Sequence, residues 1–155
     1  MSERPLARVV WWSLAGAWTF VVVFVCLLRG TWVSAWIKEI MGFSTRLGLR
    51  KGVINDHVLH GGSFLVLGLL YATALGEGSW RRVRRPALAR TGAALLGLGA
   101  LLEGLQYFVP GRTCDWADLS ANTLGVLVGL LPAAWIAWRQ PPTPAPAPEA
   151  SHATT

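Results

Sequence analysis

The sequence predicts an all-α fold, a four-transmembrane-helix bundle with an interfacial helix in the first outer loop. Three observations point there. Only 14% of the 155 residues are charged and 53% are hydrophobic, whereas a soluble domain carries roughly a quarter charged residues. The mean hydropathy is +0.44. The apolar residues are also gathered into runs near the ~20 residues that a helix needs to span a bilayer.

The first run is about Arg8–Leu28. Its basic start and a Val33-Ser34-Ala35 site imitate a secretion signal. The run outlasts the ~7–15-residue core of such signals, so it reads as an uncleaved anchor. Next, Trp32, Val33, Trp36, Ile37, Ile40 and Met41 cover one half of a helical wheel, and Ser34, Lys38 and Glu39 the other. That pattern fits a helix lying on the membrane surface. An outward extension of the first span fits it equally well, and Gly42 and Gly52 break it on the far side. The second span is about Val58–Gly76, the third Arg90–Val109 and the fourth Leu119–Trp138, with a Pro110-Gly111 turn between the last two. Residues 140–155 are rich in Pro and Ala without apolar periodicity, and are expected to form an extended, disordered tail. The division is therefore 1–139 for the membrane domain and 140–155 for the tail.

Arginines set the orientation. Arg81, Arg82, Arg84 and Arg85 crowd one short loop, with Arg4, Arg8, Arg90 and Arg139 at the same level. The opposite side holds Arg29, Lys38, Arg46, Arg50, Lys51 and Arg112. The bias favours both termini on the cytoplasmic side of a multi-pass membrane protein. The same clustering answers the net charge of +6. These cations meet anionic lipid headgroups, and no nucleic-acid partner is expected. Trp11, Trp12, Trp80, Trp135 and Trp138 near one membrane face, and Trp32, Trp36 and Trp116 near the other, form an aromatic belt. Trp18 falls in mid-span and should pack. Cys26 and Cys114 are expected to be free, although a disulfide stays open if both face outward.

The polar residues inside the spans carry the functional signal. An ionisable group at membrane depth costs roughly 2.5–3.5 kcal/mol on insertion scales. Asp56 and His60 are four apart and share a helix face with Ser63 and Leu67. Glu103 and Gln106 are three apart, above a Gly92, Leu96, Gly99 stripe. Asp115, Asp118 and Asn122 fall on one face, continued by Gly125 and Gly129. Turning these stripes inward gathers Asp56, His60, Glu103, Gln106, Asp118 and Asn122 into one polar pocket open to the outer leaflet, with Arg112 and Asp115 at its rim. Plainer readings stand beside this. Asp118 sits where an N-cap belongs. Arg112 with Asp115 would make a loop salt bridge. His57 points about 100° away from Asp56 and reads as headgroup-facing.

The run Asp56-His57-Val58-Leu59-His60 resembles the VanZ-like family. So do Glu103-Gly104-Leu105-Gln106, Pro110-Gly111-Arg112-Thr113-Cys114-Asp115-Trp116-Ala117-Asp118 and Asn122-Thr123-Leu124-Gly125. The resemblance covers about residues 10–138. It implies a small integral membrane protein of the bacterial envelope, in a family whose founding member is associated with resistance to the glycopeptide teicoplanin. The family usually has Lys after the first Asp, where this chain has His57.

Three functions compete. As an enzyme, the protein would do acid–base or metal-assisted chemistry on a phosphate-bearing envelope lipid. His60, Glu103 and Asp118 would serve as acid, base or ligands, and Arg112 would hold an anion. Oxygen ligands with one His suit Mn²⁺, Mg²⁺ or Zn²⁺, and the cofactor stays open. As a binding or transport module, it would hold a lipid headgroup or a glycopeptide. As a structural protein, it would use the polar groups as helix clamps. Interhelical hydrogen bonds average only about 0.6 kcal/mol, less than the insertion cost of the ions.

Overall fold

The computed structural model describes residues 3–46 and 55–140, all in helices and short turns. Among the described residues five α-helices follow in order: α1 (Glu3–Leu27), α2 (Gly30–Arg46), α3 (Asp56–Leu75), α4 (Arg85–Gln106) and α5 (Trp116–Arg139), with a 3₁₀ turn at Trp80–Arg82. Four are long and apolar enough to cross a membrane: Pro5–Leu27 within α1, and the whole of α3, α4 and α5. Their outward faces carry Phe20, Phe24, Leu101, Leu124, Leu131 and Trp135, all exposed. In water such a surface would be an aggregation hazard; against lipid tails it is the expected one. The tail from residue 141, and Gly52 with Arg50 and Lys51, lie outside the described residues.

The element boundaries differ from the sequence expectation by a few residues. α4 starts at Arg85, with Pro in its first turn, where proline's missing N–H is not needed. It stops at Gln106, ahead of the turn containing Pro110 and Gly111, where Gly111 takes φ +77. α2 is a separate helix and not an extension of α1, because the chain leaves helical geometry at Leu28 and Arg29. It runs through Gly42 to Arg46. Trp32, Trp36, Ile40 and Phe43 stay exposed on it, while Val33 is buried. That uncovered apolar face suits a helix seated at the membrane interface. Its first residue is pinned to the α4–α5 turn: the Gly30 N–H donates to the Pro110 carbonyl at 3.1 Å.

The helices run alternately up and down. The end of α1, the start of α3, the end of α4 and the start of α5 therefore share one end of the bundle. The core between them is Phe64, Leu67, Leu102 and Val126, each 2% exposed or less. α3 and α5 make the closest pair. A Cβ added to Gly125 would lie 2.2 Å from the Gly61 carbonyl oxygen, and one on Gly129 would lie 2.4 Å from that of Leu65. Gly125 and Gly129 thus work as a small-xxx-small face that lets two backbones touch. Gly99 of α4 lies against Phe64 and the Cβ of Asn122.

The opposite end is tied off by arginine and tryptophan. Arg85 donates to the carbonyls of Ala137 at 3.1 Å and Trp138 at 3.0 Å, satisfying orphan acceptors at the end of α5. Trp18 packs inside, as its mid-span position suggests, and donates to the Ser63 carbonyl at 3.1 Å. Cys26 is buried and Cys114 exposed, and both are free.

Candidate functional site

Among the described residues, five polar side chains are buried at the shared end of the bundle: His60, Glu103, Gln106, Asp118 and Asn122. α3 contributes His60 one turn inside its N-terminus. Asn55 caps that helix by accepting from the Val58 N–H. α5 contributes Asp118 and Asn122 one turn apart. Asp115, and not Asp118, is the N-cap of α5, accepting from the Ala117 N–H at 2.8 Å. Asp118 is thereby freed to point inward from the first turn.

His60 lies at the centre. Its Nδ1 faces the Asn122 Oδ1 at 3.2 Å and the Glu103 Oε1 at 3.6 Å. The Asn122 amide nitrogen donates to that same Glu103 oxygen at 3.4 Å, and the Asp115 N–H to the other carboxylate oxygen at 3.5 Å. A carboxylate at Glu103 fixes which way the Asn122 amide points, and the amide in turn presents an acceptor to His60. Both neighbours of Nδ1 are acceptors, so Nδ1 carries the proton. In the neutral ring the lone pair is then on Nε2. Nε2 looks toward the Asp56 Oδ1 at 3.9 Å and the Asp118 Oδ2 at 4.0 Å.

Each of these aspartates uses its other oxygen elsewhere. Asp56 Oδ2 accepts from the Arg112 Nη1 at 3.3 Å. Asp118 Oδ1 lies 2.5 Å from the His57 Nδ1. Two sequence readings are corrected here. Arg112 pairs with Asp56 and not with Asp115, and its side chain is only 9% exposed, well inside the rim. His57 belongs to the site: it lies one turn above Gly61 on the α3 stripe that meets α5, which brings its ring to Asp118. The signal was in the sequence as the run His57, Gly61, Leu65, Gly68, a second face distinct from that of Asp56 and His60.

Gln106 does not join this cluster. Its amide nitrogen donates to the Cys26 carbonyl at 3.1 Å and ties the end of α1 to α4. Asp115 caps α5 and steadies Glu103 from the edge. Asp56, His60 and Arg112, with Cys26, Ser63 and Phe64, wall a cavity of about 60 Å³. It has room for a few waters or one small polar group. The Arg112 Nε is buried without a hydrogen-bond partner among the described residues, which leaves one guanidinium donor unsatisfied in the interior. Chemically, the arrangement offers a proton-accepting imidazole nitrogen, two free carboxylate oxygens and an anion-binding group within one small space.

A family model described as VanZ/LLP1 matches residues 17–137, a stretch that contains all of these side chains. Neither a curated protein nor a solved structure matches the chain.

Proposed function

This chain belongs to the VanZ/LLP1 family and is a multi-pass membrane protein, and from that premise we propose that it performs acid–base chemistry on the phosphate-bearing headgroup of an envelope lipid. The site would sit at the outer leaflet of the bacterial cytoplasmic membrane, with both termini in the cytoplasm. The observation that carries this reading is the buried His60 ring, its Nε2 toward Asp56 and Asp118 and its side chain on the wall of a cavity that Asp56 and Arg112 also line. His60 takes or gives the proton. Glu103 and Asn122 hold its ring and tautomer, as the orienting acceptor does in general acid–base sites. Arg112 holds the phosphate through donors that Asp56 leaves free.

Two size and cost arguments favour this over the competing functions. A cavity of about 60 Å³ admits a headgroup phosphate but not a glycopeptide, so an effect on teicoplanin resistance would act through the lipid and not through capture of the drug. A purely structural clamp would gather Ser, Thr and Asn; here Asp56, Glu103 and Asp118 bring three carboxylates to one place, and each carries an insertion cost of a few kcal/mol, on the order of 2.5–3.5 for Asp.

Lipid extracts from cells with and without the protein, compared by mass spectrometry, test the chemistry. A headgroup species that appears or vanishes with the protein is the expected result. Identical extracts alongside saturable binding of the same lipid would make it a binding module instead. Orientation has its own test. Cys114 is exposed at the site end and Cys26 is buried. A membrane-impermeant maleimide should therefore label right-side-out vesicles at Cys114 alone; labelling that needs permeabilisation would invert the topology.

A further inference from the structure

We propose that Asp56, His60 and Asp118 bind one divalent cation, with Mn²⁺ or Zn²⁺ suited to their nitrogen-and-oxygen donor set. This deepens the lipid-chemistry reading and rests on it for its purpose, though not for its geometry: with the His60 Nε2 on the ion, His60 would be a ligand and the proton transfer would pass to a water on the ion. Ligand atoms from the three residues lie within 4.8 Å of one another. The His60 side chain is only 5% exposed, yet its Nε2 makes no hydrogen bond among the described residues, the facing carboxylate oxygens being 3.9 and 4.0 Å away. Those separations exceed a hydrogen bond. The two from Nε2 fall under the ~4.4 Å that two ligands of one ion can span at about 2.2 Å each, within a set that spans up to 4.8 Å.

The charges ask for the same thing. With Nδ1 protonated toward Asn122, the bare Nε2 lone pair would face two carboxylate oxygens, which is repulsive without a cation between them. The surroundings are built as metal sites are built. The outer oxygen of Asp56 is held by Arg112, that of Asp118 by His57, and the Nδ1 of His60 by Asn122. Such partners fix the ligating atom and its direction. Three protein ligands leave coordination positions open toward the cavity, where a bound ion would polarise a phosphoryl oxygen or acidify a water.

The test uses the full-length protein in detergent, stripped with a chelator and titrated with Mn²⁺ or Zn²⁺ alone. Calorimetry and elemental analysis should find about one ion per chain. Asp56→Asn, at the half-exposed edge, should abolish stoichiometric binding, and Asn122→Ala should weaken it by about 10–100-fold through loss of the acceptor that holds the His60 Nδ1. Failure of stripped wild-type protein to take up one equivalent of either ion would overturn the proposal, as would wild-type affinity in Asp56→Asn. The two readings can fail separately. Lipid conversion by metal-free protein would sink the cation and keep the acid–base function; one bound ion with unaltered lipids would do the reverse.

Discussion

Gly125→Ala is expected to destabilise the bundle by about 3 kcal/mol or more, the upper end of overpacking costs. The added Cβ would lie 2.2 Å from the Gly61 carbonyl oxygen and 2.9 Å from the Leu65 nitrogen. Both are backbone atoms, so no side chain can swing aside to relieve the contact. α3 and α5 would have to separate, and the site would separate with them, because His60 and His57 lie on one helix and Asn122 and Asp118 on the other. Gly97→Ala is the control. Its Cβ meets nothing within 4 Å, and the change should stay within about 1 kcal/mol. Thermal melts of the two variants in the same detergent make the comparison. Equal melting temperatures would mean that α3 and α5 approach less closely than the Gly61–Gly125 contact requires.

His60→Ala should lower the rate of lipid conversion by about 10²–10⁴-fold, the usual contribution of a positioned general acid or base. The loss should fall on kcat more than on KM, since Arg112 and the cavity wall still hold the headgroup. Folding is the obvious confounder. His60 is buried and bonded to Asn122, so some stability will be lost with it. Asn122→Ala separates the effects. It removes the acceptor that orients the ring but leaves the Nε2 in place, and should therefore cost less in rate than His60→Ala at a similar loss of melting temperature. A rate loss that simply follows melting temperature across both variants would return His60 to a structural role.

The fold was legible because membrane spans announce themselves by length and composition, and the candidate cluster because charges inside spans are rare. Asp56, His60, Glu103, Asp118 and Asn122 could be placed on facing stripes from helical spacing alone. What could not be read was how the stripes meet. Spacing put His57 off the Asp56 face, which is true, but only the close crossing at Gly61 and Gly125 shows that its own face looks at Asp118. Gln106 shares a face with Glu103, yet sits one turn nearer the helix end, where the Cys26 carbonyl is within reach. Arg112 follows a turn whose path depends on Gly111 and on contact with Gly30; sequence distance made Asp115 its obvious partner, and the fold gives it Asp56. The caps behaved similarly. Asp115 and Asp118 both look like N-caps in one dimension, and the backbone chooses the earlier one.

The most direct test is conversion of envelope lipid by the purified protein. Wild-type and His60→Ala protein, each reconstituted in lipid nanodiscs containing bacterial envelope phospholipids, would be sampled over time by mass spectrometry. The account predicts a headgroup-altered product that accumulates with wild type and is at least about a hundredfold slower with His60→Ala. No product from well-folded wild-type protein, or equal product from both, would contradict it.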